Sequence, residues 1–171
     1  MDLYMVVLRA IHILAGVFWV GSFLLFFLFV GTTARDLGPQ GAPFMTHLVR
    51  TKKLPLFVTG AGGITVLAGA LLYWRTSGGL DTGWITTGTG MTFTLGAVAA
   101  IVALAVGIFG IKPTVDRIGA IGESVAASGA APSQEQMQEL GGLQRRSRSL
   151  GWVNVALLTF AVLAMATARY L

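Results

Sequence analysis

The chain has 171 residues, a net charge of +5 and a mean hydropathy of +0.75, with 54% of its residues hydrophobic and only 11% charged. Soluble domains carry roughly 25% charged residues, so composition excludes an ordinary water-soluble domain and points to a bilayer. The absence of cysteine excludes disulfides, thiolate-bound metals and thiol redox chemistry.

Crossing a membrane takes about 20 mostly apolar residues. Four segments qualify, at 3–30, 54–74, 88–111 and 150–168, and the sequence predicts a single all-α membrane domain, a four-helix bundle. The first segment is too long for the core of a signal peptide, and no cationic stretch precedes it. It reads as a retained helix. The connection that follows, "GTTARDLGPQGAPFMTHLVRTKKLP", opens with a Gly/Pro-rich break and becomes regular near Pro43, which suits the first turn of a helix. Pro55 would interrupt its continuation into the second span. His47 rides on this connection beside Arg50 and Lys52, where a solvated or headgroup-facing role suffices.

Span two is glycine-rich through "TGAGGITVLAG", and span three carries Ala99, Ala103 and Gly107 at every fourth position, with Gly96 and Ala100 as a second row. Small residues permit close helix contact in lipid, so spans two and three are predicted to pack tightly together. Residues 112–149 read as a helical hairpin that extends spans three and four. Val115, Ile118, Ile121 and Val125 mark the first arm, and Met137, Leu140 and Leu143 the second. "SGAAPS" separates them, and Ser133 with Gln136 resembles a capping box. "RRSRS" then suits anionic headgroups where span four enters the bilayer.

The basic residues lie in two of the three connections: Arg35, Arg50, Lys52 and Lys53 in the first, and Lys112, Arg117, Arg145, Arg146 and Arg148 in the third. By the positive-inside rule these connections are cytoplasmic and both termini lie outside, the arrangement of a multi-pass protein of a prokaryotic inner membrane. Topology explains the basic clusters, and no nucleic-acid partner is expected. The expected partners are the lipid bilayer and either other membrane proteins or further copies of the chain. Tyr4, Trp74, Trp84 and Tyr170 would form an outer aromatic belt, with Trp152 as an inner anchor.

Ionisable residues inside a span are costly and mark functional sites. His12, in "RAIHILAGVFWVG", is the clear instance. Helical spacing puts His12, Gly16, Trp19 and Phe23 on one stripe, which offers a nitrogen ligand, a gap and aromatic walls. These are the requirements of an embedded planar cofactor such as heme b or a porphyrin, whose metal takes a neutral imidazole. Met91 and Met165 are the candidates for a second axial position. The alternative is a structural histidine bonded to a hydroxyl or carbonyl of a neighbouring helix, with Thr92 and Thr94 at comparable depth. Copper is a poorer match, because the soft-ligand set is thin and His47 belongs at the opposite membrane face. No acidic residue lies in any span, which removes a carboxylate proton relay, and no phosphate loop, nucleophile elbow or metalloprotease motif is present.

"RAIHILAGVFWVG" resembles the first helix of the HemJ-type protoporphyrinogen oxidases and, more loosely, the small membrane proteins that include copper-resistance D (CopD) domains. In that family a helix-one histidine is followed seven residues later by tryptophan, as His12 and Trp19 are here. The likeness continues through "KKLPLFVTGAGGITVLAG", in its basic pair, threonine and glycines, and covers spans one to three. It implies a four-helix membrane bundle with a b-type heme or porphyrin near His12. It also exposes a departure, since the family carries a lysine early in helix three where this chain has Thr94 in "FTLGAV". The departure weighs against protoporphyrinogen oxidation while leaving a cofactor shell that includes Thr94. Redox or heme handling without that activity is the leading expectation; a non-catalytic accessory subunit and CopD-like copper handling are the alternatives.

Overall fold

The computed structural model describes residues 2–171 and is all-α, with no strand among the described residues. Four helices are long and apolar enough to cross a membrane: Leu3–Asp36, Leu54–Thr76, Gly88–Ser128 and Gln134–Tyr170. The chain is therefore read as an integral membrane protein. The shortest of the four has 23 residues, about 35 Å at 1.5 Å per residue, enough for a hydrocarbon core of about 30 Å. Large apolar side chains such as Leu14, Val17, Leu67 and Phe109 remain exposed along these helices, as lipid-facing positions require.

The connections follow from local chemistry. Lys53 adopts a left-handed conformation, with φ of 52°, immediately before the second span. Pro55 then occupies the first turn of that helix, where its missing N–H costs nothing, so the interruption predicted at Pro55 falls just ahead of it. Between spans two and three, Gly78, Gly79 and Leu80 all have positive φ, and the Ser77 hydroxyl accepts from the Leu80 N–H at 2.9 Å. The Asp81 carboxylate caps a short helix, Thr82–Ile85, and Thr87 caps the third span by accepting from the Gly90 N–H at 3.0 Å. The predicted capping box is present: the Ser133 hydroxyl accepts from the Gln136 N–H at 3.1 Å, and the Gln136 side chain accepts from the Ser133 N–H at 2.9 Å.

The third helix runs unbroken through Pro113 to Ser128. Proline in a helix interior removes a hydrogen bond and crowds the preceding turn. Here the turn before it is π-helical, over Val106–Ile111, and the Lys112 N–H reaches back five residues to the Gly107 carbonyl. Thr114, buried, donates from its hydroxyl to the Gly110 carbonyl at 2.7 Å. Beyond the apolar segments the third and fourth helices are joined by a two-pronged pair, Arg117 Nε to Glu139 Oε1 at 2.6 Å and Nη2 to Oε2 at 3.0 Å. Arg50 reaches Glu123 at 2.8 Å and ties the first connection to the same extension.

Packing departs from the expected pairing of spans two and three. Span one lies along span two, and span three along span four. Gly96 receives Ala164 and Met165 of the fourth helix, whose carbon atoms would stand 3.0 and 3.3 Å from a Cβ at that position. Two of the span-two glycines, Gly62 and Gly69, receive span one instead. A Cβ at Gly62 would meet the Trp19 ring at 2.8 Å, and one at Gly69 the His12 ring at 2.8 Å. Small residues specify a close approach but not the partner, and the bulky Trp19 decided where the span-two grooves are filled. Trp19, Ala103 and Leu158 meet at the centre of the bundle, bringing spans one, three and four together.

Candidate functional site

His12 sits at the end of the bundle that carries the chain termini, on the side of span one that faces span two. Its Nδ1 lies 2.8 Å from the backbone carbonyl of Thr65. A carbonyl can only accept, so Nδ1 carries the proton and donates, and in the neutral imidazole Nε2 then keeps its lone pair. Thr65 is available for this because its own hydroxyl turns back to the Ala61 carbonyl at 2.8 Å. Gly69, one turn further along, leaves the space that the imidazole occupies. Nε2 has no hydrogen-bond partner among the described residues and is not one of the fully buried polar atoms. A histidine that holds a metal commonly donates its other N–H to a backbone carbonyl, which sets the tautomer and the ring orientation. His12 has that arrangement.

The rest of the predicted stripe serves helix packing. Gly16 faces Thr65, whose Cγ2 would stand 3.4 Å from an added Cβ. Trp19 is only 4% exposed, pressed between Gly62 and the central core. Phe23 stacks on Phe27 with ring centroids 5.9 Å apart. The space between His12 and Trp19 is thus filled by span two. Among the described residues, the donor suits a heme or porphyrin metal, but these residues do not enclose a macrocycle. Met91 is more than half exposed on span three, and Met165 packs on Gly96; neither belongs to the helix pair that holds His12.

Thr94 is occupied elsewhere as well. Its hydroxyl donates to the Gly90 carbonyl at 2.7 Å, so the 2.6 Å contact with Tyr73 is a bond in which the tyrosine donates. The Tyr73 ring in turn meets Trp84 edge-on, with centroids 5.5 Å apart. Thr92 donates to the Gly88 carbonyl at 2.8 Å. The two threonines expected to hold His12 therefore satisfy their own helix, and a backbone carbonyl of span two takes their place. His47 lies at the other end of the bundle, on a π turn over His47–Thr51. No group of three or more histidine or acidic side chains placed to hold a metal occurs among the described residues.

Sequence reasoning passed over Asn154, the only asparagine in the chain. It lies in the fourth helix, 2% exposed, and its Oδ1 has no hydrogen-bond partner. The available signal was an amide in the middle of an apolar run, which carries the same cost argument as His12. No protein-family model, curated protein or solved structure matches the chain.

Proposed function

We propose that this chain is a multi-pass membrane protein that binds a b-type heme or a metalloporphyrin through Nε2 of His12. The observation that carries the reading is the 2.8 Å bond from Nδ1 to the Thr65 carbonyl, which orients the ring and leaves Nε2 without a partner among the described residues, inside an apolar segment. Because span two fills the stripe between His12 and Trp19, the group would approach from the side of the imidazole away from Thr65. The remaining wall would come from lipid or from a second polypeptide. When bound, such a group supplies one-electron chemistry; the chain's part is to hold one ligand in a fixed ring orientation. The lack of a lysine at Thr94, together with the engagement of that hydroxyl by Tyr73, argues for holding or passing on the group rather than oxidising its precursor.

The reading is tested by absorption spectra of the purified protein, oxidised and reduced, as isolated and after addition of hemin. A Soret band with a sharpened visible band on reduction is expected. A protein that stays colourless after reconstitution and co-purifies with stoichiometric partners would instead be an accessory subunit.

Charge asymmetry supports an orientation with the Arg50 and Arg117 end in the cytoplasm and both termini outside. The chain has no native cysteine, so single labels are unambiguous. Thr82→Cys should react with a membrane-impermeant maleimide from the outer face of intact cells, and Ala130→Cys only after the cells are opened. Reaction of both from one face would overturn the topology.

A further inference from the structure

A cavity of about 140 Å³ lies between the spans on the basic side of Trp19, well away from His12. Its walls are mostly apolar and include Trp19, Phe23, Val58 and Leu104, and Lys112 and Asp116 also line it. Asn154 lines it from the fourth helix, and this is the side chain whose buried Oδ1 has no partner. Gly107 lines it from the third, and a Cβ built there would have no atom within 4 Å.

Three π turns converge on this space: Phe26–Val30 supplies Phe26, His47–Thr51 supplies Val49, and Val106–Ile111 supplies Gly107 and Ile108. A π turn widens the helix by one residue and is frequent at functional sites. The cavity is thus maintained by repeated departures from α geometry on separate segments, and its one fully buried polar side chain is unsatisfied.

We propose that this cavity binds a hydroxylated aromatic ring, a lipid-soluble phenol or the head of a hydroquinone, with the ring hydroxyl hydrogen-bonded to the Asn154 carboxamide. The volume is enough for a single ring, since a cavity of about 150 Å³ admits benzene. The walls are mostly apolar, which suits a ring, and the unpartnered Asn154 carboxamide calls for a polar group on it.

The test uses the full chain in phosphatidylcholine nanodiscs, with Trp74, Trp84 and Trp152 changed to Phe so that Trp19 alone reports. Emission is titrated with 4-bromophenol and with bromobenzene, which carries the same heavy-atom quencher but no donor. Saturable quenching by 4-bromophenol is expected, at least about tenfold tighter than by bromobenzene, the value of one hydrogen bond. Asn154→Leu should erase that preference. Gly107→Leu, which leaves Asn154 intact and fills the space, should abolish saturable quenching by both rings, and it decides the matter should Asn154→Leu not fold. Quenching that never saturates, equal affinity for the two rings, or a preference that survives Asn154→Leu would overturn the proposal and leave a pocket for water.

Discussion

Replacing His12 with alanine is expected to abolish the Soret band of the hemin-loaded protein while leaving the helices assembled. The imidazole makes one described hydrogen bond, to the Thr65 carbonyl, and its loss costs only about 0.6 to 2 kcal/mol within a membrane. The metal, by contrast, loses the protein nitrogen that holds it. A companion substitution separates a ligand from a packing residue. In Gly69→Ala the new Cβ would stand 2.8 Å from His12 Cε1 and 3.1 Å from Nδ1, so the ring must turn and the bond to Thr65 must lengthen. Loss of such an orienting partner typically weakens a metal site about 10- to 100-fold. Gly69→Ala should therefore retain a heme spectrum with weaker hemin binding, while Gly63→Ala, at a position with nothing within 4 Å, should match the parent. A His12→Ala protein with an undiminished spectrum would remove His12 from the site.

The parts of this molecule that are legible in the sequence are those set by local cost. Apolar runs long enough for a bilayer mark the four helices, and the spacing of Ser133 and Gln136 marks the start of the fourth. An imidazole in lipid must have a partner, and His12 has one. The identity of that partner is not legible, because every residue offers a carbonyl and nothing in "TGAGGITVLAG" distinguishes Thr65 as the acceptor. The same limit applies to the glycines, which announce a close approach without saying to what. Gly62 and Gly69 pointed to a close helix contact, and it is Trp19 and His12 of span one that make it. The π turns have no sequence signature beyond Pro113 near one of them, so the cavity they line is a property of the assembled fold alone. Asn154 was legible by the argument applied to His12, but an amide carries no titratable or ligand chemistry to draw attention to it.

The seating of Trp19 over Gly62 carries the largest expected effect on stability. A Cβ at Gly62 would approach the indole at 2.8 and 3.0 Å and the Leu104 side chain at 3.0 Å, so a side chain there collides with span one and span three at once. Trp19 cannot withdraw, because its other face meets the buried Ala103 and Leu158. Gly62→Leu should cost about 1 to 3 kcal/mol or more as overpacking, read as a lower midpoint of thermal unfolding in detergent. Gly63→Leu, one residue on, has open space in place of a neighbour and should unfold within about 0.5 kcal/mol of the parent. Trp19→Leu in the Gly62→Leu background should recover part of the loss, since shortening the indole makes room for the added leucine. Equal destabilisation by Gly62→Leu and Gly63→Leu would show that the glycines act through helix propensity, and that span one is not held against span two by the tryptophan seated in its groove.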